Sequence, residues 1–247
     1  MKILLTNDDG IFAPGLAAIY KKLLVLGEVT VVAPATSQSG ASHSITYKGP
    51  LICNKVDIEG IFSGYSVDGS PADCVKLAFM ELHREKIDMV VAGINNGSNA
   101  GVNVYYSGTV AAAMEAAFLK IPAVALSMTN EEKMDYERGA YYAMATLKKL
   151  LPLDNGGVIN INIPKLSEGQ PKGVKVVPQS TQGFHENYIA GQNEQGKRHF
   201  QLAGGRHKSE EETTDTISLS QGYISVTPLI ADMTDHQRLK HLKNLNL

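Results

Sequence analysis

The sequence predicts an α/β protein: a three-layer, doubly wound, mostly parallel sheet of Rossmann-like type, with a C-terminal β-hairpin extension and a terminal helix. Two observations carry that expectation. Over residues 1–163, short β-rich runs alternate with helical patterns, which puts crossover helices on both faces of one sheet. The run Ile87–Ile94 is almost continuously apolar, as in a strand buried on both faces.

Each element follows from local chemistry. Lys2–Thr6 opens the chain as a strand. Pro14–Leu26 reads as a helix, because proline suits its first turn and Gly27 its stop. Val29–Ala33 is a second strand, closed by Pro34. Ile52–Ile58 and Ile61–Val67, parted by Glu59-Gly60, read as a hairpin. Ser70-Pro71-Ala72-Asp73 starts a helix reaching to about Lys86, with serine as cap and aspartate three residues on. After the strand Ile87–Ile94 come a helix at Ser107–Leu119, a strand at Ile121–Leu126, a helix at Glu131–Leu151 and a strand at Gly157–Ile163. Past Pro164 the character changes. Residues 165–215 are polar and glycine-bearing and read as projecting hairpins, with Glu210-Glu211-Glu212 as a solvated turn. Gly222–Thr227 is one more core strand and Asp235–Leu247 a terminal helix. The expected organisation is a core of residues 1–164 carrying the site and an extension of residues 165–247 serving oligomerisation.

Composition narrows the function classes. The 247 residues carry a net charge of −2, so there is no field to draw in a nucleic-acid polymer or an anionic membrane. Cys53 and Cys74 fit a reduced compartment and form no metal-ligand pattern. No apolar run approaches the ~18 residues of a membrane span. Ile3-Leu4-Leu5 is too short for the apolar region of a secretory signal. A soluble, cytoplasmic protein is expected.

The polar residues of the first half cluster just after strands: Asn7-Asp8-Asp9-Gly10, Ser37-Gln38-Ser39-Gly40 and Asn95-Asn96-Gly97, with Tyr106-Ser107-Gly108-Thr109 opening a helix. In a doubly wound sheet all four converge on one edge. Adjacent carboxylates repel, and one has a raised pKa unless a cation sits between them. With Ser39 and Asn95 they make an all-oxygen set suited to Mg²⁺ or Mn²⁺. Asn-Asp-Asp-Gly is also good turn chemistry. Ser107-Gly108-Thr109 precedes an alanine-rich helix whose free first-turn amides suit an anion, though serine is equally a plain cap. Between Glu85 and Lys120 only Lys86 is basic, so a phosphate there relies on amides, hydroxyls and metal rather than arginine.

Other chemistries are set aside. No two glycines stand two apart, so the dinucleotide fingerprint is absent. Gly191 to Gly196-Lys197-Arg198 imitates a P-loop, but arginine stands where Ser or Thr is required. No G-x-S-x-G elbow occurs. Among seven histidines without ligand spacing, His43 lies near the second loop, where it could touch substrate, though a surface or hydrogen-bonded role is the more common one for each of them.

Read together, these segments resemble the SurE survival-protein family of metal-dependent nucleotidases. The matching pieces are Asn7-Asp8-Asp9-Gly10-Ile11 with Ala13 and Gly15, Val32-Ala33-Pro34 with Gln38-Ser39-Gly40, and Ser70-Pro71-Ala72-Asp73-Cys74-Val75. Gly93-Ile94-Asn95 with Gly97, Asn99 and Gly101 follows, then Tyr106-Ser107-Gly108-Thr109-Val110, Asn160-Ile161-Asn162-Ile163-Pro164 and Gly222-Tyr223 through Thr227-Pro228-Leu229. Ser70-Pro71 stands where Thr-Pro is common and Ala92-Gly93 where Ser-Gly is common; neither replaces a suspected ligand. The resemblance implies a phosphomonoesterase acting on nucleoside 5′-monophosphates, with 3′-nucleotides and short polyphosphate as secondary substrates. It implies one divalent ion, Mg²⁺ or Mn²⁺, held by Asp8, Asp9, Ser39 and Asn95, with Asp8 and Asp9 catalytic. Gly40, Asn96, Ser107, Gly108 and Thr109 would surround the phosphate, and the chain would form a homodimer or homotetramer through its C-terminal segments. Two other classes stay open: a phospho-accepting signalling domain, and a ligand-binding stress protein without turnover.

Overall fold

The computed structural model describes residues 1–58, 60–83, 85–207 and 213–245. Its strands are β1 (Lys2–Thr6), β2 (Glu28–Pro34), β3 (Cys53–Ile58), β4 (Phe62–Val67), β5 (Met89–Asn96), β6 (Ala123–Met128), β7 (Val158–Ile163), β8 (Val174–Val176), β9 (Phe184–Gln192), β10 (Arg198–His207) and β11 (Ile224–Leu229). The helices are α1 (Pro14–Leu23), α2 (Pro71–Leu77), α3 (Gly108–Phe118), α4 (Tyr136–Leu150), α5 (Asp215–Ser220) and α6 (His236–Leu242). Nine strands form one sheet in the order β3-β4-β2-β1-β5-β6-β7-β11-β8. From β4 to β7 every pairing is parallel. β3 runs antiparallel to β4, and β11 antiparallel to β7. The three-layer, mostly parallel α/β fold is the one the alternating sequence predicts.

The layers follow from the two-residue period of a strand. On β1, Ile3 and Leu5 join one core with Leu16, Ile19 and Leu23 of α1 and Ala140, Ala143 and Leu147 of α4. Leu4 points the other way, to Cys74 and Val75 of α2 and Val110, Ala112 and Ala113 of α3. Each fully buried aliphatic of this kind contributes about 1.5–3 kcal/mol. Chain order reverses at β1, whose neighbours are β2 on one side and β5 on the other. The carboxyl ends of β1 and β5 therefore open a crevice, where open α/β sheets bind their ligands.

Several boundaries move. The helix opened by Ser70 has the reciprocal capping box with Asp73 but ends short of Lys86, passing through wider turns at Ala78–Leu82. The buried strand begins and ends two residues later than Ile87–Ile94, because hydropathy reports burial whereas ladder pairing sets the ends. Asn95 and Asn96 pair with Ser127 and Met128, so both asparagines lie on β5 rather than after it. The helix expected from Glu131 begins at Tyr136, where the Asp135 side chain accepts from the Arg138 amide at 3.1 Å. The polar stretch 165–215 holds one described hairpin, β9–β10. It also contributes β8, which joins the main sheet beside β11. Glu210-Glu211-Glu212 and the last residues of the expected terminal helix lie outside the described residues. Among the described residues no helix is long and apolar enough to cross a membrane.

Candidate active site

The segment after β1 divides its labour. Asn7 Nδ2 donates to the Gly10 carbonyl at 2.9 Å, and the Gly10 amide donates to Asn7 Oδ1 at 3.2 Å. Asn7 and Gly10 thus make the turn, and the two carboxylates between them are not needed for it. Asp8 is 3% exposed. The hydroxyl of Thr109, itself fully buried in the first turn of α3, donates to Asp8 Oδ1 at 2.5 Å. Burial pushes the Asp8 carboxyl above the ordinary carboxylate range; the Thr109 hydrogen bond opposes that, and the neighbouring charge of Asp9 adds to it. Asp9, half-buried, accepts from the Asn96 amide at 3.1 Å, a bond that crosses the crevice from β5. Its carboxyl is also pushed up by burial, against that amide. Among the described residues no basic side chain pairs with either aspartate.

Two loops and α3 close the site. The Gln38 amide donates to the Asp8 carbonyl at 2.7 Å, which ties the loop after β2 to the end of β1. That loop carries Ser39, exposed, with its hydroxyl 3.0 Å from the Ser37 hydroxyl. Gly40 follows at φ +74°, a conformation that favours glycine, with open space where a Cβ would stand. Asn95, 9% exposed, donates its Nδ2 to the Gly97 carbonyl at 2.7 Å, which engages the nitrogen and leaves the oxygen to act as a donor atom. Ser107 caps α3 by accepting from the Val110 amide at 3.0 Å. Asp8, Ser39, Gly40, Asn95, Asn96 and Ser107 line one cavity of about 190 Å³, together with Asn99, Asn103 and Tyr106.

Asp9 stands beside that cavity on the Asn96 amide. Gly108 and Thr109 stand behind Asp8 instead of in the opening. A Cβ on Gly108 would fall 2.9 Å from Asp8 Cβ and 3.0 Å from Pro71 Cγ, so glycine here lets α3 close on the aspartate. His43 is held by a buried carboxylate and an aromatic ring. Its Nε2 lies 2.9 Å from Glu115 Oε2, and its ring stacks on Phe118 with centroids 5.5 Å apart. Glu115 is 4% exposed and also accepts from Lys76 Nζ at 2.9 Å. The Ser39 loop is held further by Thr46, whose amide and hydroxyl both donate to Asp73, and by Ser42, whose amide donates to the Tyr106 carbonyl at 3.1 Å.

Asn99 and Asn103 join the cavity without a sequence reading that places them there, and Tyr106 joins it from the segment that opens the helix. Asn99 is locked by β6 and β7: its amide donates to Asn162 Oδ1 at 2.7 Å, its Nδ2 donates to Ser127 Oγ at 2.8 Å, and its carbonyl accepts from Asn160 Nδ2 at 2.7 Å. The signal was Asn160-Ile161-Asn162. Two amides on one face of an otherwise apolar strand have to serve a buried partner.

Among the described residues no three His, Cys, Asp or Glu side chains cluster as a metal site. A cation here would be met by two carboxylates and neutral oxygens, a hard donor set of the kind Mg²⁺ and Mn²⁺ take and zinc does not. Two adjacent carboxylates pushed up by burial, with no cationic partner among the described residues, fit such an ion.

A family model described as survival protein SurE matches residues 3–186. A 5′-nucleotidase SurE of Rhodopirellula baltica is 43% identical, with 100% of this chain and 99% of that protein covered. One from Desulfitobacterium hafniense is 42% identical over 98% of this chain and 96% of its own length. The crystal structure of the SurE protein from Aquifex aeolicus superposes with a TM-score of 0.85 at 38% identity, covering 98% of each chain.

Proposed function

The chain belongs to the SurE survival-protein family, and from that premise we propose how its site works. It is a 5′-nucleotidase, a hydrolase that cleaves the phosphomonoester of a nucleotide. The observation that carries the mechanism is the pair Asp8 and Asp9 at the crevice, both pushed up by burial and neither paired with a basic side chain among the described residues. Asp8, Asp9, Ser39 and Asn95 would hold one divalent ion, Mg²⁺ or Mn²⁺. That ion, when bound, supplies charge neutralisation on the phosphate and orients or acidifies the attacking water.

The chain's own residues do the rest. The Thr109 hydroxyl keeps Asp8 Oδ1 in one position, and the Asn96 amide does the same for Asp9 Oδ2. One of the two carboxylates takes or returns the proton of the reaction. Gly40, Asn96 and Ser107 surround the phosphate oxygens, with the first-turn amides of α3, from Gly108 and Thr109, favouring negative charge from behind Asp8. Among the described residues no basic side chain lines the cavity, which leaves neutral donors and the ion as the means of holding phosphate. Nucleoside 5′-monophosphates are the main substrates, with 3′-nucleotides and short polyphosphate as secondary ones.

The core of residues 1–164 carries this chemistry, and the segment 165–247 serves assembly into a homodimer or homotetramer. The support is α6, which buries no residue against its own chain and leaves Leu239 and Leu242 exposed. The enzyme acts in the cytoplasm, without nucleic-acid or membrane partners. The test is a panel of phosphate esters assayed with Mg²⁺, with Mn²⁺ and after chelation. Nucleotide turnover that disappears on chelation and returns with either ion is the expected result. Turnover indifferent to metal overturns the mechanism.

A further inference from the structure

The cavity at Asp8 has about 190 Å³, below the ~300–1,000 Å³ of sites that hold a whole small molecule. It takes a phosphate and little more. A second cavity of about 660 Å³ shares Gly40, Asn103 and Tyr106 with it, so the two are continuous. Its far wall is the β9–β10 hairpin, through Glu186, Tyr188 and Leu202. Glu186 and Tyr188 are two apart on β9, and Tyr188 faces Leu202 in the ladder, so all three side chains share one face. Tyr106 is 62% exposed and Tyr188 67% exposed, one ring on the core and one on the hairpin.

Resting on the nucleotidase reading above, we propose that this second cavity is the nucleoside subsite, in which Tyr106 and Tyr188 stack the base. The chemistry matches in three respects. Exposed rings beside a phosphate pocket offer the flat apolar face that a base covers, and such stacking tolerates any base. The Glu186 carboxylate accepts hydrogen bonds from ribose hydroxyls or an exocyclic amine. The volume lies within the range of a small-molecule site. The hairpin then sets the preference for a nucleotide over a plain phosphate ester, while the ends of β1 and β5 do the hydrolysis.

The experiment compares kcat/KM for adenosine 5′-monophosphate and for ribose 5-phosphate, which presents the same phosphoester without a base. In Tyr188→Ala the ratio of the two should fall about tenfold, the loss expected for one stacked base. Tyr188→Phe keeps the ring and should keep the ratio. A ratio unchanged in Tyr188→Ala, including an equal fall on both esters, overturns the subsite. If the unsubstituted protein hydrolyses neither ester with metal present, the nucleotidase reading itself fails, an outcome distinct from a flat ratio.

Discussion

At the residue scale, the site rests on carboxylates placed where water cannot solvate them well. Asp8 is buried beside Asp9 without a cationic partner among the described residues, so its ionised form costs the metal-free protein stability at neutral pH. Asp8→Asn should lower metal-dependent nucleotidase activity more than ~100-fold, beyond the effect of losing an outer partner of a metal ligand. The same variant should melt at an equal or higher temperature than wild type without metal. Near-normal turnover at limiting metal, or a large fall in metal-free melting temperature, contradicts this reading. Glu115 presents the opposite case. Its carboxyl is held below the ordinary value of 4.5, first by the His43 hydrogen bond and then, against burial, by Lys76. A carboxylate depressed in the folded state stabilises the fold above its unfolded pKa and loses that contribution as pH falls through the folded one. Wild type should therefore lose its stability advantage over Glu115→Gln progressively below about pH 4.5. Melting curves measured from pH 7 to 3 check this, and parallel pH dependences would refute it. Much of this scale was legible in sequence, because Asn-Asp-Asp-Gly displays its chemistry locally. The partner of His43 was not, since Glu115 is 72 residues away.

At the element scale, α3 matters more for what it presses against than for its cap. The resemblance places Gly108 among the residues that surround the phosphate. The structure puts its missing side chain against Asp8 and Pro71. In an unobstructed helix, Gly→Ala stabilises by up to about 1 kcal/mol. Here Gly108→Ala should instead destabilise by about 1–3 kcal/mol through overpacking, and should weaken metal binding by displacing Asp8 from Thr109. Urea unfolding and a metal titration measure both; a stabilised variant with unaltered metal affinity would return Gly108 to the role of a cap residue. The shift of β5 to Met89–Asn96 has the same origin. Hydropathy stops at Ile94, but ladder bonds to β6 carry Asn95 and Asn96 onto the strand, where both line the cavity.

At the scale of the whole molecule, the C-terminal third leaves apolar surface uncovered. Leu239, Leu242 and Leu245 of the terminal segment are 38–46% exposed, and Ile189, on the hairpin face opposite Tyr188, is more than half exposed. A stripe of this kind is covered by a neighbouring subunit when its own domain does not cover it. Full-length protein should scatter light as at least a dimer at micromolar concentration, and truncation after Thr234 should shift it toward monomer. A monomeric full-length protein refutes the assembly. An oligomer that survives truncation leaves the hairpin as its contact and removes α6 from it.

The sequence by itself determined what is local or periodic. Alternating strand and helix patterns set the α/β class, the Ser70–Asp73 capping box set the start of α2, and Asp8 with Asp9 marked the end of β1 as a candidate site. Only the tertiary structure decided what depends on distant segments meeting. It set the switch point between β2 and β5, and it recruited Val174–Val176 from a polar stretch into the main sheet. It also brought Asn99 onto Asn160 and Asn162, and Tyr188 to a cavity that shares Gly40, Asn103 and Tyr106 with the one at Asp8. The reason is physical. Propensity and capping act within a few residues, whereas ladder register and close packing are contracts between segments far apart in the chain, which neither segment carries alone.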